Sequence, residues 1–156
     1  MTRVFAFDFD GVLAIPYTQP EVLFPGVVPL LRDIAGIPDN RVVVTSFNPR
    51  AYHVLKPLLD AGIIHDIRAG SLTKWWAEGD GSYSDARHRV DMDKALHVQA
   101  MLRDVREVAM LYFVDDDAKN VADVTAGSWP CPLRTVLVPS YAGFGTNAFC
   151  ALATTE

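Results

Sequence analysis

The sequence is poor in cysteine, with only Cys131 and Cys150. Their spacing fits no thiolate metal site, and reduced thiols in a cytoplasmic chain are expected rather than a disulfide framework. No apolar run approaches the ~18 residues of a membrane span, so no membrane partner is expected. Met1-Thr2-Arg3 leads straight into apolar residues without a signal-peptide pattern. Basic residues are not in excess: 14 Lys and Arg against 19 Asp and Glu give a formal net charge of −5. That balance leaves no broad positive field for nucleic acid, which is therefore a disfavoured partner unless a local patch serves it. Internal repeats and low-complexity segments are also missing.

What is present is a chain of 156 residues, half of them apolar, the size and composition of one globular domain spanning 1–156. Five short β-rich runs recur: Val4 to Phe9, Arg41 to Ser46, Ile63 to Ala69, Met110 to Val114 and Thr135 to Val138. Most are nearly continuous in hydrophobicity, as strands covered on both faces are. Between them fall helical segments at Val27 to Ala35, Pro49 to Asp60, Lys94 to Val105 and Lys119 to Thr125, with Pro57 implying a kink or a late start in the second. The alternation predicts an α/β fold, a Rossmann-like three-layer sandwich around a five-stranded, mainly parallel sheet. The least regular stretch is Gly70 to Asp93, which has room for a small insert.

Polar residues cluster where these strands should end. Asp8 and Asp10 close the first run, Thr45 and Ser46 the second, and Asp115, Asp116 and Asp117 the fourth; Lys94 opens the helix before that fourth strand. A parallel sheet gathers all of them at its carboxyl edge, where ligands bind in such folds. Asp8 and Asp10, two residues apart on a strand, should share a face, and two anions held so close need a cation or a shared proton. Carboxylates of this kind suit Mg²⁺, a hydroxyl and an ammonium can receive phosphoryl oxygens, and a carboxylate can act as nucleophile.

In this order the motifs resemble the haloacid dehalogenase-like hydrolase superfamily, from Val4 to about Pro139. Asp8-Phe9-Asp10-Gly11-Val12-Leu13 is similar to its first motif, Val42-Val43-Val44-Thr45-Ser46 to the second, Lys94 to the third and Phe113-Val114-Asp115-Asp116 to the fourth. Asp10, Thr45, Lys94 and Asp115 are separated by 35, 49 and 21 residues. The resemblance implies a Mg²⁺-dependent phosphatase acting on a phosphomonoester. Asp8 would be the nucleophile and form an aspartyl phosphate, and Asp10 the general acid and then base. Thr45, with Ser46 competing for the role, and Lys94 would bind the phosphoryl group; Lys74 is a distant rival to Lys94. The metal would be held by Asp8, the Asp10 main-chain carbonyl and one of Asp116, the first choice, or Asp115. The 34 residues between Asp10 and Thr45 and the 48 between Thr45 and Lys94 leave no room for a large cap domain. The resemblance leaves the phosphorylated substrate open between a small molecule and a macromolecule end; uncapped sites of this family commonly serve bulky substrates or are closed by a second subunit in a homo-oligomer. A phosphomutase and a non-catalytic scaffold of the same fold are the alternatives.

Four further features are read structurally first. Trp75, Trp76 and Tyr83 are an expected core-and-surface aromatic group with a lesser claim to a substrate platform, and Arg87-His88-Arg89 an expected solvated run. His53, His65 and His97 have no ligand spacing. The apolar tail with Phe144, Phe149 and Leu152 is expected to cover a sheet edge or meet a partner.

Overall fold

The computed structural model of the protein describes residues 1–16, 18, 20–70 and 93–139. Lys74, Trp75, Trp76, Tyr83, Arg87 to Arg89, the expected insert, Cys150 and the apolar tail lie outside these described residues. In chain order the elements are β1 (Thr2–Phe7), α1 (Val27–Ala35), β2 (Asn40–Ser46), α2 (Ala51–Asp60), β3 (Asp66–Ala69), α3 (Lys94–Leu102), β4 (Val108–Asp115), α4 (Ala118–Ala126) and β5 (Leu133–Leu137). The five strands form one sheet in the order β3-β2-β1-β4-β5. Every pairing is parallel, so the fold is Rossmann-like α/β with no antiparallel edge and, among the described residues, no cap domain.

Alternation along the strands sorts side chains between two cores. Phe5 and Phe7 of β1, Val42 and Val44 of β2, and Tyr112 and Val114 of β4 pack with Val27, Leu31 and Ile34 of α1 and with Leu55 of α2. Val4 and Ala6, Val43, Leu111 and Phe113 point the other way, to Ala95, Val98 and Met101 of α3 and Val124 of α4. Both faces of the central strands are thus covered by helices, which is why their sequences read as unbroken apolar runs. Phe5 lies directly opposite Tyr112 in the β1–β4 register, and their rings stack at 4.4 Å and 9°.

Every strand differs from expectation at one end or both, and two of these limits have a visible cause. The first strand stops at Phe7 rather than Phe9, because the Phe9 carbonyl accepts the N–H groups of Leu13 and Ala14 and curls the chain into a turn. The third begins at Asp66 rather than Ile63. The Ile63 and Ile64 amides bond Leu58 O at the end of α2, and the His65 imidazole accepts the Val42 N–H at 2.9 Å through Nδ1. A side chain there does the work of a strand carbonyl. The second helix starts at Ala51, two residues later than expected, and continues through Pro57.

The chain enters the sheet at its centre, lays β2 and β3 to one side, then crosses to place β4 and β5 on the other. The strand order therefore reverses beside β1, and the carboxyl ends of β2, β1 and β4 flank the crevice where ligands bind in open α/β sheets. Phe113, fully buried on β4, tests the second core. Phe113→Ala should lower the unfolding free energy by about 3–5 kcal/mol, measured by urea titration.

Candidate functional site

The turn after β1 carries the first two aspartates. Asp8 remains attached to the sheet through its N–H, which donates to Val114 O at 2.9 Å. Gly11 follows at φ +80° and donates to Ala14 O at 2.8 Å. A Cβ at Gly11 would overlap the Asp116 carboxylate, so glycine is demanded both by the left-handed backbone and by the close approach of the β4 turn. Because the strand has ended, Asp8 and Asp10 do not share a strand face as expected. Asp8 is buried and faces Lys94, whereas Asp10 is half-buried and receives a bond from Asn48 Nδ2 at 3.2 Å.

Lys94 is the first residue of α3 and is fully buried. Its Nζ donates to Asp8 Oδ1 and to the Thr45 carbonyl, both at 3.0 Å, and lies 3.8 Å from Asp115 Oδ2. The Phe47 ring centroid is 4.5 Å from the same ammonium, and Phe47 in turn meets the buried His97 edge-on at 4.9 Å. A cation in a first helical turn opposes the helix dipole; here the carboxylates offset that, and Asp93 caps the helix by accepting from Ala95 N.

The hydroxyls of β2 separate the two candidates that the sequence left open. Ser46 Oγ accepts locally from Asn48 N at 3.0 Å. Thr45 is fully buried, and its Oγ1 has no hydrogen-bond partner among the described residues. An orphaned buried hydroxyl costs about 1–3 kcal/mol, and this one sits on the residue whose carbonyl anchors Lys94.

The three consecutive aspartates after β4 have three different surroundings. Asp115 is fully buried; Asp117 N donates to its Oδ1 at 2.9 Å and Asn120 Nδ2 to its Oδ2 at 3.2 Å. Asp116 is half-buried against Gly11. Asp117 caps α4 by accepting from Lys119 N. One carboxylate oxygen from each of Asp8, Asp115 and Asp116 can lie within 4.8 Å of the others. Three hard oxygen donors gathered so closely form a group that could hold a divalent cation. The Asp10 carboxylate is not part of that group.

Burial makes the charge state of the group costly. Desolvation pushes the Asp8 carboxyl up to about 6, against the pull of Lys94 and of the Phe9 N–H. Desolvation, reinforced by the charge of Asp8, pushes Asp115 further, to about 8, with Lys94 and the Asp117 N–H opposing.

The structure thus brings together Asp8, Thr45, Lys94, Asp115 and Asp116, with Asp10 alongside through Asn48. His97, read as structural, packs edge-on against Phe47; three residues around the site escaped the sequence reading altogether: Phe47, Asn48 and Asn120. Each acts through a side-chain contact that no short motif encodes, although Asn48 lies only three residues beyond Thr45.

No family model matches the chain, and no curated protein matches it in sequence. Among solved structures, it is similar to the Legionella pneumophila effector Ceg4, with a TM-score of 0.59 at 11% identity, over 99% of this chain and 94% of that one. It is also similar to an uncharacterized protein from Corynebacterium glutamicum, with a TM-score of 0.53 at 15% identity and the same coverage of each chain. At these identities the likeness extends to the fold.

The raised carboxyls set a direction for stability without a bound cation. Their folded-state values lie above the usual 3.8, so between those limits the folded chain holds protons that the unfolded chain releases, and stability falls as pH rises. The melting temperature in chelator should therefore drop from pH 5 to about pH 8. Asp115→Asn should flatten that slope, and millimolar divalent cation should reduce it.

Proposed function

We propose that the protein is a Mg²⁺-dependent phosphatase of the haloacid dehalogenase-like type, hydrolysing a phosphomonoester through an aspartyl phosphate on Asp8. The observation that carries this reading is the buried Lys94 ammonium, held between the Asp8 carboxylate and the main-chain carbonyl of Thr45, a residue whose own hydroxyl is orphaned. A lysine so placed orients one oxygen of a nucleophilic carboxylate and offers positive charge to the phosphoryl group as it transfers. The Thr45 Oγ1 can donate to a phosphoryl oxygen, which supplies the partner it lacks among the described residues.

The donor set also fits Mg²⁺, which favours oxygen ligands and keeps several waters. Asp8, Asp116 and Asp115 would hold it, with the Asp10 carbonyl contributing. When bound, Mg²⁺ neutralises the carboxylates and the phosphoryl oxygens during transfer. In the first half-reaction an Asp8 oxygen bonds to phosphorus and the ester O–P bond breaks. Asp10, protonated, gives its proton to the departing alcohol. In the second, Asp10 takes a proton from water as the water oxygen bonds to phosphorus; the acyl-phosphate O–P bond breaks, releasing inorganic phosphate and restoring Asp8. The absence of a cap domain among the described residues favours a bulky phosphorylated substrate.

Hydrolysis of an aryl phosphate should require Mg²⁺, stop in EDTA and be lost in Asp8→Asn. Lys94→Ala should lower kcat/KM by about 10²-fold or more, on the scale of removing one charge-stabilising donor. Undiminished turnover in Asp8→Asn would sink the phosphoenzyme reading.

A further inference from the structure

We propose that Asn48 is a positioning residue that holds the Asp10 carboxyl for proton transfer to the leaving group. The assignment rests on the phosphatase reading above and adds a residue outside its four motifs. Asn48 lies in the β2–α2 connection, and its hydrogen-bonding groups are committed in a way that fixes its amide. Its main-chain N–H donates to Ser46 Oγ at 3.0 Å. Its Oδ1 accepts from Arg50 N at 3.0 Å. A main-chain N–H can only donate, so the amide oxygen must face Arg50, and Nδ2 is left as the donor to Asp10 Oδ2 at 3.2 Å.

This bond is the side-chain hydrogen bond that Asp10 makes among the described residues. The Lys94 ammonium serves Asp8 and Thr45 instead, and the cation-binding group is built from Asp8, Asp115 and Asp116. A half-buried carboxyl on a turn has rotamer freedom, and proton transfer needs it held in one geometry. The connection that supplies Asn48 is itself tied down. Arg50 pairs with Glu21 at 2.7 Å, and the Glu21 side chain is 5% exposed. The segments following the first two motifs are therefore joined twice, by Asn48 with Asp10 and by Arg50 with Glu21.

The arrangement also says which oxygen carries the proton. Oδ2 accepts from Asn48, which leaves Oδ1 as the oxygen through which the proton can pass to the leaving group. As the ester O–P bond breaks, that proton moves to the leaving oxygen and Asp10 becomes a carboxylate. The Asn48 bond is then made to an anion and strengthens, stabilising the form that appears during the step.

A merely structural residue would depress all substrates alike, whereas a residue acting on the general acid matters only where the leaving group needs a proton. The test compares kcat/KM for phenyl phosphate, a poor leaving group, with that for dinitrophenyl phosphate, a good one. This ratio covers the steps through departure of the alcohol and excludes the later attack by water. Asn48→Ala should lower the phenyl phosphate value by about tenfold or more and the dinitrophenyl value by less than about twofold. Asn48→Leu, which keeps nearly the same size and removes the donor without adding charge, should show the same split and serves if the alanine variant fails to fold. Equal losses on the two esters, or none on either, overturn the positioning role alone. A wild-type chain that turns over neither ester overturns the phosphatase reading and this assignment with it.

Discussion

The site depends on one buried ammonium. Lys94 has no exposed surface and opens a helix whose dipole disfavours it. Taking such a charge out of water costs several kcal/mol, and the pairing that offsets this is a weak source of net stability. An apolar residue would serve α3 better. The ammonium is therefore best understood through what it faces: a carboxylate at the end of β1, a carbonyl at the end of β2 and a second carboxylate at the end of β4. It draws together three strands' ends at the place where the strand order reverses. Local rules broken at one spot, inside a fold that otherwise obeys them, single out the candidate site.

The layered fold was legible because covering both sheet faces leaves a plain sequence signal. Runs such as Val42-Val43-Val44 serve two cores at once, with Val42 and Val44 on one side and Val43 on the other. Element ends were harder. The Phe9 carbonyl and the His65 imidazole each redirect a backbone that still looks strand-like in composition. Neither contact is local in the sequence sense that propensity captures.

Much of the candidate site could also be read from the chain, because parallel topology converts strand-end positions into neighbours. What composition could not assign was the division of labour within a repeated residue. Asp115, Asp116 and Asp117 are chemically identical, yet one is enclosed by Asn120 and a main-chain N–H, one abuts Gly11 and one caps a helix. Thr45 and Ser46 differ in the same way, through a single bond from Asn48. Such roles are set by partners, and partners here are far apart in the chain: Lys94 and Asp8 are separated by 86 positions.

That separation has a consequence for how the molecule is made. Lys94 finds its partners only when β1 is flanked on one side by a strand from the first half of the chain and on the other by one from the second half. Closing loops of such length is slow, and contacts of high sequence separation form after local helices. The charged cluster is thus a late product of folding rather than a nucleus for it. A chain whose β4 has not docked holds Asp8 without its second carboxylate neighbour and the crevice without its far wall. Assembly of the charged cluster and completion of the sheet are one event.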